Sequence, residues 1–174
     1  DLRPEAIQYL AVAFEYDDWN ENMNPDTAEG MPSGLARAQD RNLMPQDREW
    51  TPEVFIALGQ AYLDNIKYDE AIAAWTYFIE HWPNHPEVPH IRQLIAGVHR
   101  QRQNRDAEFA ILADMRACLP QSDWWDANRD NPAALRLCEE LAQSALIQTA
   151  IESHQSAQRL RRACSESRDM AVCA

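Results

Sequence analysis

The chain predicts an all-α fold, and three observations carry that prediction. Only four of its 174 residues are glycine, so it has few of the tight turns that join strands. No alternating run of Val, Ile and Thr of strand length occurs anywhere. Between 52 and 83, the large residues Phe55, Leu58 and Tyr62, and after them Trp75 and Phe78, fall at helical spacing on two successive helices, with the small Gly59 and Ala71 among them. The length suits one domain, and a hydrophobic content of 45% is enough to fill a core.

Each element follows from local pattern. Over 1–16, Ile7, Leu10, Ala11 and Phe14 recur at helical spacing and Pro4 suits a first turn, so an amino-terminal helix is expected. Residues 17–51 form an Asp/Asn/Pro-rich insertion holding three of the ten prolines and two of the four glycines. A short helix over 34–41 is expected within it; insertions of this length in a compact domain are functional or mobile. Over 52–85 two antiparallel helices of about 14 residues meet along one seam, where Gly59 and Ala71 allow close approach and Pro83 ends the second helix. A weaker copy occupies 88–121. Following Val88, Ile91, Leu94, Val98, Ala107 and Ile111 stand 36 residues after Phe55, Leu58, Tyr62, Ala71 and Trp75. There Leu94-Ile95 replaces Leu58-Gly59, Asp114 replaces Phe78, and Pro120 closes the unit one residue late. After a connection containing Trp124 and Trp125, a long helix is expected over 131–164, capped by Asn131. Its stripe of Leu135, Cys138, Leu141, Ala145, Ile147, Ile151 and Leu160 should cover the open edge of the second hairpin. Residues 165–174 form a tail.

The series Phe55, Leu58-Gly59, Tyr62, Ala71, Trp75, Phe78 and Pro83 resembles the W-x2-L-G-x2-Y…A-x3-F…P signature of the tetratricopeptide repeat. That resemblance implies an α-solenoid of helical hairpins, with 52–85 as a first repeat, 88–121 as a degenerate second, and 131–164 as the cap. Over its full length the chain also resembles the large envelope-associated tetratricopeptide proteins of myxobacteria and relatives. This second resemblance rests on the Ala-Ile-Gln-Tyr-Leu-Ala-Val-Ala-Phe helix at 6–14 and the Asp/Asn-rich loop. It also rests on Trp-Thr-Pro-Glu-Val at 50–54, the run from Trp124 through Ala127-Asn128-Arg129-Asp130-Asn131-Pro132, and Glu-Leu-Ala-Gln-Ser-Ala-Leu at 140–146. It implies an exported, periplasmic scaffold tied in some members to gliding motility or outer-membrane assembly.

The formal charge of −12 argues against nucleic acid as a partner, because phosphate binding requires a basic surface. The acidity gathers early: residues 1–29 hold eight carboxylates against one arginine. Arginines cluster instead at Arg92, Arg100, Arg102 and Arg105, and at Arg159, Arg161, Arg162 and Arg168. No apolar run reaches the ~18 residues of a membrane-spanning helix. The chain starts at Asp1 with a helical pattern already under way, as an excised domain or mature fragment would.

Partner binding is the expected function. First helices of successive repeats line a concave face, which selects Glu53, Ile56, Gln60 and Leu63 and then Arg92, Ala96, His99 and Arg100. Arg92 and Arg100 suit a carboxylate or an acidic peptide through charge-assisted hydrogen bonds, set against simple solvation of a charged face. Trp124 and Trp125 join the set, because adjacent indoles are hard to bury together. A calcium-ordered structural module is the alternative. Asp18, Asn20, Asn22, Asn24, Asp26 and Glu29 occupy positions 1, 3, 5, 7, 9 and 12 of a calcium loop. Met23 stands where that loop needs glycine and Pro25 restricts it further, so a hydrated acidic linker competes.

Four cysteines, Cys118, Cys138, Cys164 and Cys173, lack the spacing of a zinc site. Pairing Cys118 with Cys138 and Cys164 with Cys173 would pin a loop and the tail; other connectivities and reduced thiols stay open. His81 and His85 are four apart, but Pro83 between them prevents one intact helix. No phosphate loop, nucleophile elbow or H-E-x-x-H helix occurs, so no enzymatic activity is expected.

Overall fold

The computed structural model describes residues 2–16 and 34–166. Every regular element among them is helical: α1 (Arg3–Glu15), α2 (Gly34–Gln39), α3 (Thr51–Asp64), α4 (Tyr68–His81), α5 (Val88–Gln101), α6 (Arg105–Ala113), a 3₁₀ segment (Asp114–Cys118), α7 (Asp123–Ala127) and α8 (Pro132–Glu166). They gather into two compact units, Asp1–His85 and Pro86–Ala174.

In the first unit α3 and α4 form the hairpin, and Trp75 is its centre. The Trp75 indole is fully buried and its Nε1 donates to the Ile56 carbonyl at 3.1 Å. A Cβ at position 59 would collide with that indole, so glycine is what lets the ring reach the α3 backbone. Val54, Phe55, Leu58, Ala71, Ala74 and Phe78 complete the seam. α1 lies against α3, burying Ala11, Phe14 and Glu15. Its last carbonyls, which no amide of the helix can satisfy, accept from the Arg37 guanidinium: Phe14 O at 2.9 Å and Tyr16 O at 2.8 Å. Buried Glu15 pairs with Lys67 Nζ at 2.9 Å. Between α2 and α3 the chain is held by Met44, which is buried, and by Thr51 Oγ1 donating to Pro45 O at 2.9 Å.

The second unit is built from α5, α6, the 3₁₀ segment and α8, with α7 on the connection. Its hairpin repeats the first at 37 residues, not the 36 expected from the apolar spacing. The buried pair Val88-Pro89 matches Thr51-Pro52, Ile91 matches Val54, and Ile95-Ala96 matches Leu58-Gly59. Leu112 and Met115 then stand where Trp75 and Phe78 stood, while Leu94 and Ile111 are only half-buried. The helix ends agree. Ile66 and Gln103 both have positive φ, 63° and 59°. Around each, the two hydrogen bonds of a Schellman cap form: Lys67 N to Tyr62 O and Ile66 N to Leu63 O, then Asn104 N to His99 O and Gln103 N to Arg100 O.

Where α4 continues to His81, α6 stops at Ala113 and tightens into the 3₁₀ segment. The end of that segment is tied to α8 by the Cys118–Cys138 disulfide, with Cα atoms 6.0 Å apart. Asn131 caps α8, its side-chain oxygen accepting from Ala134 N at 3.1 Å. Ala142 and Ala145 of α8 close over Ala96, Leu112 and Met115, with Phe109, Ile111 and Leu119 at the margin.

Candidate functional site

α8 does not cover the second hairpin along its whole length. Its buried side, Ala134, Cys138, Leu141, Ala142 and Ala145, ends at Ala145. The expected stripe continues beyond it, yet Ile147 and Ile151 are each 53% exposed and Leu160 is 62% exposed. The physical reason lies in the partner helix. Opposite this part of α8 the hairpin offers its polar turn and Glu108, with no row of large apolar side chains to cover.

The result is a groove of about 1020 Å³ between the α5–α6 turn and α8. Phe109, Ile147 and Ile151 give it apolar surface, and Gln103, Gln143 and Gln155 supply amide donors and acceptors. A smaller recess of about 290 Å³, lined by Ala96, Gly97, Leu112 and Ser144 among others, shares Arg100 and Gln148 with it.

Two polar clusters brace the groove. In the first, buried Glu108 accepts from Arg100 Nε at 2.6 Å and from Gln148 Nε2 at 3.0 Å, and Arg100 also donates to Gln148 Oε1 at 3.0 Å. In the second, Glu152 takes Arg159 at 2.6 Å and Arg105 at 2.7 Å on one carboxylate oxygen. Those bonds, Arg159's first and Arg105's with it, hold the Glu152 carboxyl below its ordinary range against the opposing effect of desolvation. Both carboxylates therefore act as struts between α8 and the hairpin.

Of the residues expected to meet a partner, Arg100 lines this groove. Arg92 is half-buried and donates to the Asp114 carbonyl at 2.9 Å; burial lowers its pKa and the Asp114 charge partly restores it. Ala96 and Trp124 are interior, with Trp125 and His99 half-buried. In the first unit Glu53 and Gln60 are exposed on α3, Ile56 and Leu63 half-buried, and Gln60 donates to Asp64 at 2.7 Å. The groove thus draws on side chains the repeat pattern does not select: Glu108, Phe109, Ile147, Gln148, Ile151 and Glu152. The 37-residue register would have marked Glu108, since it puts a carboxylate where Ala71 is buried.

The calcium-loop positions Asp18, Asn20, Asn22, Asn24, Asp26 and Glu29 lie outside the described residues, as does Cys173 of the expected Cys164–Cys173 pair. Among the described residues no three His, Cys, Asp or Glu side chains gather in a metal-binding group. None of the described helices is long and apolar enough to cross a membrane. Comparison of the chain with protein-family models, curated proteins and solved structures gives no match.

Proposed function

We propose that this chain is a tetratricopeptide-type adaptor of the bacterial cell envelope, binding other proteins and performing no chemistry of its own. The groove along α8 carries this reading: exposed Ile147 and Ile151 and half-buried Phe109 line it among amide side chains, which suits a peptide segment with both apolar and backbone groups to satisfy. The recurrence of the hairpin at 37 residues, with Ile95-Ala96 in the place of Leu58-Gly59, supports a repeat protein. A buried disulfide favours an oxidising compartment such as the periplasm. The net charge of −12 disfavours nucleic acid. A place within a motility or outer-membrane assembly complex follows from the envelope resemblance alone.

A photo-crosslinking residue at Ile147 tests the reading in native envelopes. It should trap a discrete protein, and the same residue at exposed Ile66 of the first unit should not. Equal labelling at the two positions, or none at Ile147, would remove the groove as the binding face.

A further inference from the structure

Charge is divided very unevenly along this molecule. The first unit, Asp1–His85, holds 16 acidic and 5 basic residues, a net −11; the second, Pro86–Ala174, holds 12 and 11, a net −1. Within the second unit the positive charge reaches furthest from the core on α8. Past Ala145 that helix runs about 30 Å, and no residue from Leu146 to Ser165 is buried.

Between Glu152 and Glu166 the helix has no acidic residue, while Arg159, Arg161 and Arg162 follow one another within four positions around exposed Leu160. Arg159 is held by Glu152. Arg161 and Arg162 are exposed and make no ion pair with another described residue. The second unit therefore carries a cationic helical arm, and the first unit is strongly anionic. Glu53, Asp64, Glu70 and Glu80 of α3 and α4 present part of that negative charge at the surface.

We propose that the distal arm of α8 docks on the acidic first unit of a second copy of this chain. The contact joins unlike surfaces, so each copy keeps one arm and one acidic unit to offer, and association propagates head to tail unless the geometry closes a ring. Complementary charge on the same polypeptide selects the second copy as occupant. Opposite charges at the encounter also make the association steeply dependent on ionic strength. This proposal stands apart from the groove and from whichever envelope protein the groove engages.

Sedimentation of the full chain over a range of concentrations tests it. The dissociation constant should rise at least ~10-fold between ~20 mM and ~200 mM salt, where the Debye length shortens through the scale of a surface contact. The variant R159E/R161E/R162E should be monomeric, as should E53K/E70K/E80K, and an equimolar mixture of the two should associate again. Because R159E removes a bond to Glu152, R161E/R162E serves as the milder variant and should weaken association at unchanged helicity. A chain that stays monomeric at low salt overturns the proposal. So does association that persists in R161E/R162E, or a failure of the mixture to recover it. Binding of the wild-type arm to anionic vesicles without self-association would assign it to a membrane surface instead, and would equally overturn the second copy as occupant.

Discussion

At the scale of single residues, two glycines one hairpin apart make opposite predictions. Gly59 leaves the space that the Trp75 indole fills, so Gly59→Ala should destabilise the first unit by about 2 kcal/mol, the range for overpacking a filled core. Gly97 on α5 has no heavy atom within 4 Å of a Cβ built on it. There the helical preference for alanine acts alone, and Gly97→Ala should stabilise by about 0.5–1 kcal/mol. Urea denaturation of both variants checks the pair; a sign change in either would contradict the packing described. The role of Gly59 was legible in the sequence because the Leu-Gly pair stood in register with a complete apolar pattern. Ala96, its counterpart, was not. Leu94 and Ile111 are large and apolar and so draw the alignment to 36 residues, although both end up half-buried.

At the scale of elements, the helix ends carry information the apolar pattern lacks. Ile66 is a β-branched residue at φ 63° and is 69% exposed. Such a residue resists the left-handed region by about 1–2 kcal/mol, so Ile66→Gly should raise stability by about 1 kcal/mol despite the added freedom of the unfolded chain. A fall in the thermal midpoint would count against the Schellman cap. At α8 the prediction concerns pH. Glu152 has a folded pKa below its ordinary value of 4.5, so its contribution is present above that value and is lost as the pH falls through the folded pKa. Amide protection factors in the distal half of α8 should therefore fall in acid, and Glu152→Gln should bring that lower protection to neutral pH. An unchanged profile would mean that Arg105 and Arg159 do not brace the helix. That α8 exists was legible from Asn131, Pro132 and the following apolar stripe. That half of it lies open was not, because a stripe shows which face is apolar and says nothing of how long the surface opposite it is.

At the scale of the whole molecule, the fold class was legible and the site was only partly so. Scarce glycine and helical periodicity suffice for an all-helical chain. The groove, however, depends on Glu108, Gln148 and Glu152 coming together from segments 40 or more residues apart, and no local spacing encodes that. The Cys118–Cys138 disulfide is a covalent restraint on the second unit. It closes a loop with a separation of 20 residues, so Cys118→Ala with Cys138→Ala should lower stability by roughly 3 kcal/mol, seen as a drop in denaturation midpoint that reductant reproduces on the wild type. No change with reductant would leave α8 held by its packing and polar struts alone.

The repeated hairpin is the claim on which the groove and its reading depend, and NMR contacts between side-chain protons test it most directly. The Ala96 methyl should lie beside Leu112 and Met115, as the space at Gly59 lies beside Trp75. Strong contacts from Leu94 to Ile111, with Ala96 facing solvent, would contradict it.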